Sequence, residues 1–283
     1  MSKYDCIVVG YGPCGISTAI YLKRYGYNPL VIGKDNGALD KAHLIENYYG
    51  LEPISGPELI QKGIKQAQDL GIDIIYDEVV SIEYADGFDV VCVNNRYNSK
   101  TVMIAVGTNR SKFPLASKFE GNGVSFCATC DGFFYRKKPT AIVGSGVYML
   151  HELEVLKSMI PNLTLFTNGE ELSVTVEDIN IVKDKIVSFN GSDKLESITT
   201  VNETYNIEGC FIATGSLSGF SLAKHMGIEI NGNNIVVDTN MMTNIPGIFA
   251  GGDCIGGLLQ VSKAVSDGAI AATAISKYLK SNK

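Results

Sequence analysis

Two cysteines separated by two residues are the part of the sequence best suited to redox chemistry. They lie in the segment Cys127-Ala128-Thr129-Cys130, which allows the two sulfur atoms to meet within one turn. Asp131 follows directly, and a carboxyl group beside a dithiol can pass the proton that thiol–disulfide exchange requires, although it can also simply cap a helix. The spacing favours a redox-active disulfide over a coincidental pair of buried thiols.

A metal site is not indicated. The seven cysteines include only this one close pair, so neither a zinc site with a second matching pair nor an iron–sulfur cluster is expected. Their odd number and irregular spacing also argue against a secreted disulfide framework. We expect the other five to be small buried residues. The three histidines, His43, His151 and His225, are scattered and form no metal or triad pattern.

A glycine-rich turn near the N-terminus indicates a dinucleotide site. The segment Gly10-Tyr11-Gly12-Pro13-Cys14-Gly15 follows an apolar, strand-like stretch, and a helical pattern and a second strand, Pro29–Ile32, come after it. In this order, the glycines allow backbone N–H groups at a helix N-terminus to hold a pyrophosphate. Asp35, just after the second strand, is the candidate for the ribose.

The arrangement then recurs in shorter form. A strand-like stretch leads into Gly144-Ser145-Gly146 and a helical pattern, and each unit ends in a similar apolar segment closed by Gly107 or Gly215. Gly10 to Gly107 is 97 positions and Gly144 to Gly215 is 71, so the second copy is 26 shorter. The sequence predicts an α/β protein with two Rossmann-like, doubly wound, three-layer nucleotide-binding domains, the second one trimmed.

The C-terminal segment is predicted to complete the first unit. A short strand, Gly247–Ala250, ends in Gly251-Gly252-Asp253 and precedes a long helical pattern. A carboxylate there can accept hydrogen bonds from a polyol chain or cap the helix. We therefore expect a discontinuous first domain, residues 1–111 plus 237–283, and a second domain over residues 112–236.

Composition excludes several classes of protein. Hydrophobic residues make up 45% and charged residues 19% of the 283 positions, so disorder is excluded. The net charge of −6 argues against a nucleic-acid partner, and no apolar run reaches the ~18–20 residues of a membrane span. The N-terminus runs directly into a strand-like stretch without a signal peptide, so we expect a cytoplasmic protein.

Over nearly its whole length, the chain resembles the low-molecular-weight thioredoxin reductase family of flavoproteins. The most specific match is the segment from Gly123 to Tyr135, which contains the dithiol. Further matches are the first glycine turn, Glu46-Asn47-Tyr48-x-Gly50 and Ile245–Asp253. The resemblance implies that FAD is bound by the first unit and the C-terminal segment. With the residues chosen above, the expected FAD site comprises Gly10, Gly12, Pro13, Cys14, Gly15, Asp35, Glu46, Asn47, Gly107, Gly252, Asp253, Gln260 and Val261.

The resemblance also implies the roles of the site residues. Glu46-Asn47 would lie against the flavin, Asp253 would reach the ribitol, and Gln260-Val261 would open a helix near the isoalloxazine. Cys130 would face the flavin, Cys127 would attack thioredoxin, and Asp131 would relay the proton. Members of the family are homodimers in which the two domains rotate, so we expect a homodimer here.

The second unit departs from the family pattern where NADPH would bind. The family loop G-G-G-x-S-A is replaced by Gly144-Ser145-Gly146-Val147-Tyr148-Met149, with Met149 at a position that should be small. The arginines that hold a 2′-phosphate are missing, since no Arg follows Arg136, and Glu170-Glu171 stand in that stretch. This pattern resembles the ferredoxin-dependent flavin thioredoxin reductases and implies reduced ferredoxin as electron donor.

Two other functions stay open at this point. One is a flavin disulfide reductase with another donor or another disulfide partner, including an NAD(P)H-dependent thioredoxin reductase, and the other is a non-catalytic, redox-sensing flavoprotein. An acidic ferredoxin would require a local basic patch despite the net charge. The basic residues nearest the dithiol either form such a patch, contact thioredoxin or are simply solvated: Lys112, Lys118, Arg136, Lys137 and Lys138.

Overall fold

The computed structural model describes residues 4–107, 113–214 and 219–282. The chain divides into two compact units, one formed by Met1–Arg110 and Ser218–Lys283, the other by Ser111–Leu217. Within the described residues, no helix is both long and apolar enough to cross a membrane.

The first unit begins with a sheet built around two central, buried strands. In chain order, its strands are β1 (Tyr4–Val9), β2 (Pro29–Gly33), β3 (Asp73–Tyr76), β4 (Val79–Ala85), β5 (Gly87–Cys92) and β6 (Arg96–Ile104). The order across the sheet is β3-β2-β1-β6-β5-β4, parallel from β3 to β6 and antiparallel from β6 to β4. Residues Ile7, Val8 and Leu30–Ile32 are fully buried, as expected for strands covered on both faces.

Two helices connect these strands. Helix α1 (Pro13–Arg24) follows the first glycine turn and buries Ile16, Ala19 and Leu22. Helix α2 (Gly56–Asp69) begins at a capping box, in which the Ser55 hydroxyl and the Glu58 side chain each bond to the backbone of the other residue. The strand–turn–helix order required by a dinucleotide site is therefore present.

The second unit has its own parallel sheet. Its strands are β7 (Val124–Ser125), β8 (Thr140–Val143), β9 (Leu163–Phe166), β10 (Asn180–Val182), β11 (Ile186–Asn190), β12 (Ser197–Thr200), β13 (Thr204–Asn206) and β14 (Gly209–Ile212). The parallel sheet has the order β10-β9-β8-β14-β7, and β11-β12-β13 form a separate antiparallel sheet. The helices are α3 (Ala128–Asp131), which carries the dithiol, and α4 (Val147–Lys157), which follows the second glycine turn.

The chain returns to the first unit through α5 (Gly219–Met226), β15 (Ile230–Asn231), β16 (Asn234–Ile235), β17 (Ile248–Ala250) and α6 (Val261–Ser281). Strand β17 pairs in parallel with the second half of β6, while β5 occupies its first half. Helix α6 lies close to α1, where a Cβ atom on Gly268 would come within 2.8 Å of Ser17 Cβ.

The second boundary differs from the predicted one. The sequence placed residues up to 236 in the second domain, whereas the structure returns to the first unit at Ser218. Hydrogen bonds explain the difference. The Tyr84 hydroxyl on β4 donates to the Met226 carbonyl at 3.3 Å, and the Asn244 side chain bonds to the backbone of Gly227 and Glu229. Helix α5 and the hairpin of β15 and β16 carry no nucleotide-binding glycine motif. Their sequence therefore did not indicate to which unit they belong.

Candidate functional site

The loop between β1 and α1 presents backbone rather than side chains at the start of the helix. Gly10 has φ +107°, a Cβ there would overlap the Ala105 carbonyl, and a Cβ on Gly15 would overlap the Gly10 carbonyl. Gly12 caps α1 without a side-chain bond, the first turn carries no acidic residue, and no described atom lies within 4 Å of a Cβ built on Gly12. The positive end of α1 therefore fits a pyrophosphate.

A second loop, from Gly251 to Gly256, is held by side chains of α6. Lys263 Nζ donates to the carbonyl oxygens of Gly252 and Gly256 at 2.8 Å each and forms an ion pair with Asp267 at 2.8 Å. The Asp267 carboxylate accepts from the Gly252 N–H at 2.9 Å. Sequence reasoning missed both residues, although opposite charges four apart on a largely apolar helix were a usable signal.

Asp253 lies in this loop and is partly buried. Burial raises the pKa of its carboxyl group, the positive charge of Lys263 opposes that rise, and the carboxylate of Asp267 adds to it. The loop lies beside the start of α1, since a Cβ built on Gly252 would be 3.1 Å from Cys14 Cβ.

The structure brings together two predicted cofactor residues that lie far apart in the sequence. The Asn47 side chain donates to Gln260 Oε1 at 2.9 Å across 213 positions. Gln260 is the N-cap of α6 without using its side chain as a cap, and Val261 is the first residue of the helix. Glu46 is exposed beside Asn47. The structure thus joins residues for which the sequence predicts a place beside the flavin.

The remaining predicted cofactor residues lie around the same loops. Asp35 is exposed after β2 and accepts from the Gly37 N–H at 2.8 Å. The Tyr11 ring covers Gly33 at the end of β2, and burial, with a smaller contribution from Asp35, raises the pKa of its hydroxyl. Gly107 has φ +69°, which favours glycine in the turn after β6.

The buried cysteines are unsuited to thiolate chemistry. Burial is the main cause that raises the pKa of the Cys254 thiol to about 12 and that of Cys14 well above its ordinary value. Cys14 adjoins the cofactor loops, since its Sγ lies 3.0 Å from a Cβ built on Gly251. The free cysteines are all buried: Cys6, Cys14, Cys92, Cys210 and Cys254.

In the second unit, Cys127 and Cys130 form a disulfide with an S–S distance of 2.06 Å. Cys127 is the N-cap of α3, and its sulfur accepts a hydrogen bond from the Cys130 N–H at 3.2 Å. Cys127 is fully buried, whereas Cys130 is exposed. Cys130 is therefore the accessible sulfur here, and Cys127 can meet a protein substrate only after a change that exposes it.

Asp131 is fixed by a neighbour that sequence reasoning did not single out. The Ser125 hydroxyl donates to Asp131 Oδ2 at 2.6 Å and accepts from the Cys127 N–H at 3.1 Å. Ser125 lies on β7 and is almost fully buried. One hydroxyl thus joins the candidate proton carrier to the backbone of the dithiol.

The second glycine turn is covered by its own unit. The Ser145 hydroxyl donates to Glu170 Oε2 at 2.6 Å, and the Ser145 carbonyl accepts from the backbone N–H of Ser173 at 2.9 Å and from its hydroxyl at 3.2 Å. Met149 is fully buried, and its Cβ lies 2.7 Å from a Cβ built on Gly144. These bonds place the Glu170 carboxylate beside the turn that precedes α4.

The predicted basic residues lie beside aromatic rings on the second unit. The Arg136 guanidinium is 4.2 Å from the centre of the Phe133 ring, and Lys138 and Lys118 lie over the rings of Tyr135 and Phe119. Lys137 is exposed, and Lys112 lies outside the described residues.

Comparisons with known proteins agree with this architecture. The profile of the pyridine nucleotide-disulphide oxidoreductase family matches residues 4–268. A thioredoxin reductase from Ureaplasma parvum is 31% identical over 99% of this chain and 98% of its own length. Among solved structures, the atypical thioredoxin reductase TRi from Desulfovibrio vulgaris Hildenborough is 33% identical, with 99% of both chains covered and a TM-score of 0.92. A ferredoxin-flavin thioredoxin reductase from Clostridium acetobutylicum is 31% identical, with 98% of both chains covered and a TM-score of 0.72.

These similarities confirm the predicted fold class and FAD as the cofactor, in agreement with the open pyrophosphate loop of the first unit. The chain belongs to the pyridine nucleotide-disulphide oxidoreductases and, within them, to the FAD-binding thioredoxin reductase family.

Proposed function

We propose that this protein reduces thioredoxin through the Cys127–Cys130 disulfide and takes its electrons from reduced ferredoxin rather than from NADPH. The observation that carries the choice of donor is the covered second glycine turn, in which Glu170 and Ser173 bind Ser145. A carboxylate at that position repels a phosphate, and the sequence has no arginine beyond Arg136 to attract one.

A named relative supports the same donor. The Clostridium acetobutylicum protein, which matches this chain over 98% of its length, is called a ferredoxin-flavin thioredoxin reductase. The energetics allow electron transfer from ferredoxin to thioredoxin. Plant-type ferredoxins have reduction potentials of about −400 mV, and thioredoxin has one of about −270 mV. For two electrons, that gap of roughly 130 mV is about 6 kcal/mol downhill.

The first unit holds the cofactor in this proposal. Gly10, Gly12 and Gly15 leave the start of α1 open to the pyrophosphate, Asp253 meets the ribityl chain, and the Asn47–Gln260 pair lies at the flavin. When bound, FAD supplies the redox centre that connects a one-electron donor with a two-electron disulfide. Two reduced ferredoxins each give up one electron. Together with two protons, these two electrons reduce one disulfide to two thiols.

The dithiol residues divide the remaining work. Following the family, we assign Cys130 to the flavin side and Cys127 to the attack on the thioredoxin disulfide, which requires that the buried Cys127 become accessible during turnover. Asp131, held by Ser125, carries the proton between the dithiol and solvent.

Steady-state turnover with alternative donors tests the proposal. The enzyme and oxidised thioredoxin are mixed without oxygen with either photoreduced ferredoxin or NADPH, and new thioredoxin thiols are counted. An NADPH-dependent thioredoxin reductase serves as the control. We expect thiols with ferredoxin alone. Equal rates with NADPH would favour an ordinary NADPH-dependent reductase, and no thiols with either donor would favour a redox sensor.

Two finer points of the proposal have their own tests. If Lys118, Arg136, Lys137 and Lys138 meet an acidic ferredoxin, the ferredoxin-dependent rate falls as salt rises, whereas a rate insensitive to salt argues against such a patch. The expected homodimer is checked by light scattering of the purified flavoprotein, where a monomer mass would contradict it.

A further inference from the structure

A buried carboxylate that the site described above does not use lies directly behind the disulfide. Glu152 on α4 is 1% exposed, and its Oε2 accepts a hydrogen bond from the Ala128 N–H at 2.7 Å. Ala128 is bonded to Cys127, so covalent geometry keeps the carboxylate within about 7 Å of the Cys127 sulfur.

The hydrogen bond alone does not explain a carboxylate at this place. A glutamine has nearly the same shape and could accept from the same N–H group, while a buried negative charge has a much larger desolvation penalty. A glutamate differs from a glutamine in its charge, and this charge lies one residue from Cys127 through the Ala128 N–H.

We propose that Glu152 is a positioning residue whose negative charge disfavours a thiolate at Cys127 and thereby makes the dithiol more strongly reducing at pH values where its thiols ionise. The inference deepens the proposed function, because it concerns the same dithiol that passes electrons to thioredoxin. It does not depend on which donor reduces the flavin.

The direction of the effect follows from the redox balance. Reduction breaks the S–S bond, adds two electrons and, at low pH, two protons, giving two neutral thiols. A fixed negative charge penalises only the reduced forms that carry a thiolate, so it makes the disulfide harder to reduce at high pH and has little influence at low pH. The other ionisable groups on the elements around the dithiol are Asp131, Tyr135, Tyr148, His151, Glu154, Lys157 and Cys210.

A matched pair of variants isolates the charge. Glu152→Gln keeps an acceptor for the Ala128 N–H and removes the charge, and Glu154→Gln makes the same change at an exposed position of α4. Each holoenzyme is equilibrated with mixtures of reduced and oxidised dithiothreitol at pH 6 and pH 9. The reaction is then stopped in acid, and the thiols of the peptide containing residues 127–130 are counted by mass spectrometry.

At pH 9, we expect Glu152→Gln to raise the equilibrium constant for reduction about tenfold, which corresponds to about 30 mV. At pH 6, the constant of Glu152→Gln should equal that of the wild type. The constant of Glu154→Gln should equal that of the wild type at both pH 6 and pH 9. Equal constants for Glu152→Gln and wild type at pH 9 would overturn the proposal. So would a shift of the same size at both pH values, because the effect of Glu152 would then not act through ionisation of the thiols.

A measurement on the wild type keeps the proposal testable if Glu152→Gln does not fold. In the reduced wild type, the pH midpoint of the reaction of Cys127 with iodoacetamide should lie no lower than the midpoint for a short peptide containing Cys-Ala-Thr-Cys, since the carboxylate disfavours the thiolate and burial changes the rate but not the midpoint. A midpoint one pH unit or more below that of the peptide would overturn the proposal.

Discussion

The two glycine turns of this protein have the same local architecture but different surroundings. Each joins a buried parallel strand to a helix, β1 to α1 in one unit and β8 to α4 in the other. At Gly12, no described atom approaches the position of a Cβ, whereas at Gly146 the Ser173 hydroxyl lies 3.6 Å from it. The first helix start has no described atom near it, and the second has the side chain of Ser173 beside it.

The second unit shows that the fold of a nucleotide-binding domain can be present without surroundings that favour a phosphate. The second unit keeps the strand, turn and helix of a nucleotide-binding domain because they form its core, with Val143 and Met149 fully buried. Glu170 and Ser173 bond to Ser145 in this turn, and the carboxylate of Glu170 would repel a phosphate placed beside it. The same unit carries the Cys127–Cys130 disulfide.

The largest effect is expected from the dithiol. Cys127→Ser should lower thioredoxin reduction by at least about a thousandfold, because serine cannot form the disulfide. The visible flavin band should stay at the wild-type intensity, since Cys127 lies in the unit without the FAD loops. Loss of FAD from the variant would instead mean that the two units do not divide cofactor binding and disulfide chemistry as described.

A matched pair of glycine substitutions tests the two turns directly. Gly12→Glu places a carboxylate at the open helix start, where it repels the pyrophosphate, and we expect FAD to bind about a hundredfold more weakly, or roughly 3 kcal/mol. Gly146→Glu places the same charge at the covered turn and should leave FAD binding and ferredoxin-dependent turnover unchanged. Both backbone conformations accept a side chain, with φ −66° and −115°. Isothermal titration of the two apoprotein variants with FAD measures the binding, and the ferredoxin-dependent assay measures the turnover.

A smaller effect is expected at the residue that holds Asp131. Ser125→Ala removes the 2.6 Å hydrogen bond to Asp131, and thioredoxin reduction should fall about tenfold while the pH profile of the rate changes shape. Ser125→Thr keeps the hydroxyl and should retain most of the rate. A Ser125→Ala variant with a lower rate but an unchanged pH profile would indicate a merely structural role for the hydroxyl.

The smallest effect concerns the ionisation of Asp253. Because burial raises the pKa of this carboxyl in the folded apoprotein, its ionised form destabilises the native state above that pKa and its neutral form does not. Asp253→Asn should therefore make the apoprotein more stable than wild type at pH 7, and the difference should vanish as the pH falls through the raised pKa towards 4. Urea unfolding at several pH values measures it, and a difference independent of pH would contradict the assignment.

The fold was largely predictable because its signals are local. Two strand–glycine–helix patterns and a Cys-x-x-Cys pair each lie within a short stretch of sequence. In the structure, both patterns form a strand followed by a helix, and the two cysteines form a disulfide. The second unit boundary was not predictable, because residues 219–236 are joined to β4 and to Asn244 by hydrogen bonds that leave no periodic pattern in the sequence.

The contacts that shape the site were less predictable than its motifs. Met149 and Glu170 could be recognised as departures from the family pattern, but the bond from Ser145 to Glu170 joins positions 25 apart. Lys263 and Glu152 contact the site from α6 and α4, and helix periodicity alone does not say which loop such a side chain will meet. Residues that hold a loop from a neighbouring element become visible only in three dimensions.

The most direct test of the difference between the two turns is an anaerobic mixing experiment on the purified flavoprotein. Excess NADPH is added in one cuvette and reduced ferredoxin in another, and the oxidised flavin band is followed. We expect NADPH to leave the band intact and ferredoxin to bleach it, with thiols then appearing on added thioredoxin. Rapid bleaching by NADPH would show that the second turn binds a dinucleotide in spite of Met149 and Glu170, and it would contradict the proposed donor.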